Sequence, residues 1–68
     1  MSDHVYKMID VVGTSSKSIK DSIEQALARA SESVEHLEWF KVEEVRGSVS
    51  NGRVGHYQVV LKLGFRLQ

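Results

Sequence analysis

The fold class the sequence predicts is α+β. Its order is β-α-β-β, giving a three-stranded antiparallel sheet (order 2-3-1) with one amphipathic helix packed on one face. Three observations lead there. Asn51-Gly52 separates two long strand-like runs, and that dipeptide tolerates the positive φ angles of a type I′ hairpin turn. Apolar residues recur at helical spacing from about residue 16 to 33. Ahead of them, residues 5–12 read as a first strand with several β-branched side chains.

In that first strand Val5, Lys7, Ile9 and Val11 alternate with Tyr6, Met8, Asp10 and Val12. Neither side is purely polar, so both sides are expected to meet protein. Gly13-Thr-Ser-Ser is then the break into the helix. Ser18, followed three residues later by Asp21, resembles a capping box with a short acid, while Ser15 or Ser16 would start the helix earlier. Ile19, Ile23, Ala26, Leu27, Ala30 and Val34 form the apolar stripe, with Lys17, Lys20, Glu24, Arg29 and Glu32 in other directions. Ala26 and Ala30 allow the helix to approach strands closely.

The hairpin spans residues 37–67. On its return strand Tyr57, Val59, Leu61, Leu63, Phe65 and Leu67 form one continuous apolar face. If Ser50 faces Arg53, partners across the ladder sum to 103. Phe40 then faces Leu63, Val42 faces Leu61, Trp39 faces Gly64 and Val45 faces Gln58. Strict alternation puts Val42 and Val45 on opposite faces and turns Glu44 inward. That conflict predicts a β-bulge near Glu43-Glu44, which would re-aim Val45 and Arg46. The helix returns the chain to its starting end, so the last strand is antiparallel to both others and lies between them.

Sixty-eight residues make one small domain, residues 1–68. Such a chain buries only about 60% of its unfolded surface when it folds alone. It has no cysteine, and its three histidines lack metal-ligand spacing. Oligomerisation is the remaining stabiliser, because Trp39, Val45 and Val60 would otherwise face water. Nine basic residues balance nine acidic ones, which argues against a nucleic-acid binder. No apolar run approaches the ~20 residues of a membrane span. The start of the chain has no signal-peptide pattern, so the expected compartment is the cytoplasm.

Catalysis is not expected. No Ser-His-Asp signature is present, there is no cysteine nucleophile, and Gly13-Thr-Ser-Ser lacks the phosphate-loop lysine. His4, His36 and His56 read as surface or interface residues, and the paired acids as solvated charges. Binding of a planar aromatic molecule suits the residues better. Trp39 beside Gly64 offers a π-face, with the Gln58 amide, a donor and acceptor, and an arginine expected nearby, and Arg46 and Arg66 offer charge for a phosphate. The alternative is a structural homo-oligomeric shell in which Trp39 anchors a subunit interface and no planar ligand binds. A module stacking nucleic-acid bases on Trp39 is disfavoured by the zero net charge.

Taken together, Val12-Gly-Thr-Ser15, the helical Ala26-Leu27-Ala28-Arg29-Ala30, Leu37-Glu-Trp-Phe-Lys-Val42, Val45-Arg-Gly47, Tyr57-Gln-Val-Val60 and Gly64-Phe-Arg-Leu67 resemble a bacterial dodecin. The resemblance runs along almost the whole chain. It implies a hollow homododecamer that stores or sequesters flavin rather than a flavoenzyme, with flavin mononucleotide (FMN) or riboflavin stacked near subunit interfaces. By position, Trp39 would stack on the isoalloxazine ring, Gln58 would bond its pyrimidine edge, and Val45 and Arg46 would line the pocket. Arg46, and less directly Arg66, would meet the phosphate. Some dodecins also bind coenzyme A, for which Tyr6, Arg29 and Arg66 are the positions implied. No nucleic-acid or membrane partner is implied.

Overall fold

A computed structural model describes residues 3–67 of the chain. Strand β1 spans Tyr6–Ser15, helix α1 Ile19–Ala30, strand β2 Leu37–Ser50 and strand β3 Arg53–Arg66. The sheet order is β1-β3-β2, and both neighbouring pairs are antiparallel. This is the architecture the sequence predicts.

Two boundaries differ from expectation. Gly13 does not break β1; the strand continues through it to Ser15. A Cβ at Gly13 would collide with the Ser22 carbonyl of α1, so the glycine marks the closest approach of strand and helix. Helix α1 also ends at Ala30 rather than near residue 33. The amides of Glu32 and Ser33 reach back three residues, to Arg29 and Ala30, and the Ser31 hydroxyl donates to the Ala28 carbonyl. Serine-rich sequence tightens and closes the last turn. At the other end Ser18 is the N-cap, its Oγ accepting the Asp21 amide at 2.9 Å. Ser15 stays in β1, but its hydroxyl donates to the Asp21 carboxylate at 2.6 Å.

The Asn51-Gly52 turn has φ angles of 53° and 73°, as a type I′ turn requires. Near the turn Ser50 faces Arg53, and further along Trp39 faces Gly64, Phe40 faces Leu63 and Val42 faces Leu61. The register slips between Val42 and Glu44, where β2 holds an extra residue, so the predicted bulge is present. A second slip lies between the pairs Gly47–Tyr57 and Val49–Val54, where β3 carries the extra residue. These two cancel, and the phase-shifted stretch is confined between them; a third slip, between Leu37 and Trp39, puts another extra residue at the start of β2.

The core is small. Val59, Leu61 and Leu63 are fully buried, joined by Ala26 and flanked by Ile9, Val11, Ile23, Leu27, Ala30 and Leu37. Helix α1 packs on β1 and β3. The helix-side face of β2 is left open, with Phe40, Val42 and Val45 at 45%, 38% and 47% exposure. The hairpin tip runs on past the end of β1, and the molecule measures 56 × 20 × 14 Å. Its radius of gyration is 14.2 Å, against about 11 Å for a compact chain of this length.

Candidate functional site

The face of the sheet away from α1 carries most of the predicted ligand-binding residues. Rows of side chains cross it: Met8, Gly64 and Trp39; then Asp10, Lys62 and Lys41; then Val12, Val60 and Glu44; finally Thr14, Gln58 and Arg46. Tyr6 and Arg66 form a further pair beyond the first row.

At the Trp39 end, the indole occupies the space above Gly64, where any Cβ would strike the ring. Trp39 keeps 41% of its surface exposed. Tyr6 packs beside it, with ring centroids 5.0 Å apart and planes tilted by 60°. The Arg66 guanidinium is steered by Glu38 at 3.8 Å and by the His36 ring at 3.4 Å. This end combines an exposed aromatic platform with a held cation.

The far end is polar. Arg46 Nε donates to Gln58 Oε1 at 3.2 Å, and Gln58 Nε2 lies 3.3 Å from His56 Nε2. The other ring nitrogen of His56 is 2.9 Å from Ser48 Oγ, which also accepts the His56 amide at 3.0 Å. Glu44 stands 3.7 Å from Arg46. A carboxamide has two N–H donors and two lone pairs. Gln58 uses one of each within the chain, so one donor and one acceptor remain for a ligand. Between the two ends Lys62 pairs with Asp10 at 2.7 Å, a contact that raises the Lys62 pKa.

Two expectations about this face are corrected. Val45 does not face Gln58. The bulge sets it opposite Val59 on the helix side, beside Ile19, Val49, Val54 and Tyr57, while Arg46 and Glu44 move to the Trp39 side. The amide of Gln58 is also not beside Trp39. Gln58 lies six residue steps along β3 from Gly64, about 20 Å at the rise of an extended chain. Trp39, Tyr6 and Arg66 gather at one end, and Gln58 and Arg46 at the other. Arg29 borders a separate hollow with Val11, Thr14 and Gln25 between α1 and β1.

Sequence reasoning missed His56 and Ser48. Their signal was parity: His56 lies two residues before Gln58 on one strand and therefore shares its face. The link to Ser48 depended on the second bulge, which residue patterns did not disclose.

Fold and face together define a small α+β module, one helix on three strands, with an aromatic platform and a polar network on the uncovered side. The family model for dodecin matches residues 5–68, and the chain belongs to the dodecin family. It is 48% identical over 64 residues to a dodecin from Thermus thermophilus, covering 94% of this chain and 93% of that one. The solved dodecin from Streptomyces coelicolor superposes with a TM-score of 0.94 at 47% identity, covering 100% of this chain and 97% of that one. A calcium dodecin from Mycobacterium tuberculosis is 31% identical over 94% of this chain and 90% of its own length. Among the described residues no three His, Asp or Glu side chains gather as a metal site, and no helix is long and apolar enough to cross a membrane.

Proposed function

We propose that the protein is a flavin-binding storage and sequestration protein, acting as a hollow homododecamer with FMN or riboflavin held between subunits. The observation that carries this reading is Trp39, braced on Gly64 and Tyr6 yet 41% exposed. A ring held this way is a platform for a flat aromatic partner. Stacking contributes about 1 kcal/mol per ring pair beyond area burial.

The site is composite. Because Trp39 and Gln58 lie about 20 Å apart in one chain, a second copy must bring its polar end to the first copy's aromatic end. The unused donor and acceptor of Gln58 would then meet the pyrimidine edge of the flavin. Arg46 and Arg66 supply charge for a phosphate. Assembly also suits the surface. The accessible area is 5059 Å², against about 4,300 Å² for a compact monomer of this mass, and apolar side chains are exposed on both sheet faces. Trp39 in van der Waals contact with an excited flavin would quench it, so storage and photoprotection follow from one contact. Coenzyme A is a second proposed ligand. Tyr6 and Arg66 form one cluster for it, and Arg29 stands apart.

Titrating FMN with flavin-stripped protein tests the reading. Saturating fluorescence quenching near one flavin per chain is expected, and Trp39→Ala should abolish it while the oligomer persists. An oligomer that collapses on Trp39→Ala, from a natural protein that never quenched FMN, would favour the structural shell instead.

A further inference from the structure

The polar end of the open face contains a chain of four side chains whose donor and acceptor roles are determined by one member. The Arg46 guanidinium can only donate. The atom of Gln58 facing it must therefore be the oxygen, which turns the amide nitrogen toward His56. That nitrogen donates, so His56 Nε2 must be a bare lone pair. The ring proton then sits on Nδ1 and is donated to Ser48 Oγ at 2.9 Å. Ser48 holds the ring from a second side by accepting the His56 backbone amide at 3.0 Å.

We infer that His56, clamped by Ser48, is the positioning residue that sets the amide orientation of Gln58, and that protonation of His56 releases that amide and weakens ligand binding. A protonated imidazole donates from both nitrogens. Nε2–H would then confront the amide N–H of Gln58. Flipping the amide offers no escape, because its NH2 would next face the Arg46 Nε–H. Either orientation sets donor against donor. Gln58 must swing away, and the donor–acceptor pair that would read the flavin edge is no longer held.

The surrounding charges are few. Strand β2 contributes Arg46 and Glu44, which face each other at 3.7 Å. The β1 ladder ends at Ser15 opposite Tyr57, one residue short of His56, and α1 lies on the other side of the sheet.

The effect on binding rests on the flavin reading above; the tautomer does not. The experiment therefore has two readouts on the assembled, ligand-free protein. NMR of isotope-labelled histidine should show His56 protonated on Nδ1 at about pH 8, with Ser48→Ala losing that tautomer. Titration with riboflavin, which lacks a titrating phosphate, should show affinity falling about tenfold between about pH 8 and pH 5.5, roughly one hydrogen bond's worth. His56→Ala should lose a similar factor at the higher pH. His56→Gln, which returns a non-titrating acceptor, should recover most of that loss and remove the pH dependence. A His56 protonated on Nε2 at high pH overturns the inference, as does a pH dependence that survives unchanged in His56→Gln. If the natural protein binds no riboflavin at either pH, the proposed function fails, and the tautomer alone decides whether His56 positions Gln58.

Discussion

Trp39 stands where a side chain at Gly64 would stand. The two residues face each other across the β2–β3 ladder, and the indole fills the space above the glycine. A missing Cβ on one strand thus sets the pose of the largest side chain on the next. The platform cannot settle onto the sheet if that space is occupied.

Gly64→Ala should accordingly lift the indole away from the sheet. Overpacking of this kind costs about 1–3 kcal/mol where neighbours cannot give; Trp39 is half-exposed and can move, so the cost in stability falls at the low end. The larger effect is on binding, with FMN affinity dropping about tenfold or more as ring and ligand lose their shared plane. Thermal unfolding and FMN titration of the same sample separate the two. An unchanged FMN affinity would show that the contact with Gly64 is not what orients the ring.

Leu61→Ala should be far more damaging. Leu61 is fully buried at the centre of β3, between Val59 and Leu63. Leucine truncation in a core costs about 2–5 kcal/mol, against a total that is typically 5–15 kcal/mol for a whole domain. Loss of the folded subunit, and of any assembly with it, is expected in circular dichroism and size-exclusion chromatography. A variant that melts within a few degrees of the natural protein would mean the core repacks around the gap.

Asp21 predicts how the fold responds to acid. The Ser15 hydroxyl bonded to its carboxylate lowers its pKa from the ordinary 3.8, with Gln25 and Lys17 pulling the same way. A carboxyl whose folded pKa is depressed binds fewer protons folded than unfolded. Its stabilising effect is therefore complete above the ordinary value and fades as pH falls through the lowered one. Melting temperatures measured from about pH 5 to pH 2.5 should decline less steeply below pH 4 in Asp21→Asn than in the natural protein. Equal slopes would show that the Ser15–Asp21 link between β1 and α1 carries no net stability.

Much of the fold was legible because its determinants are local. Asn51-Gly52 declares a turn, the odd-numbered positions of β3 declare a buried face, and Ser18 with Asp21 declares a helix start. Even the bulge near Glu43 could be read, since Val42 and Val45 cannot share a face without it. Gly13 misled because a glycine ahead of a helix looks like a break, whereas here it permits a close crossing. Placement within the face was harder. Parity says which side a residue takes, but not that Trp39 and Gln58 stand at opposite ends of it. The second bulge, near Gly55, left no conflict of apolar residues behind it, so the Ser48–His56 link was invisible.

The paired bulges have one more consequence. A strand presents two alternating reading frames, inward and outward, and an extra residue acts as a frameshift. The insertion between Val42 and Glu44 changes the frame, and the one in β3 between Val54 and Tyr57 restores the match between strands. From Trp39 onward, tolerance to substitution along β2 should therefore alternate with period two, slip once after Val42, and resume in the opposite phase. A homologous chain that deleted the extra residue after Val42 would keep its Arg46 equivalent on the polar side, whereas one that kept the residue but straightened the ladder would turn it toward the apolar side of the sheet.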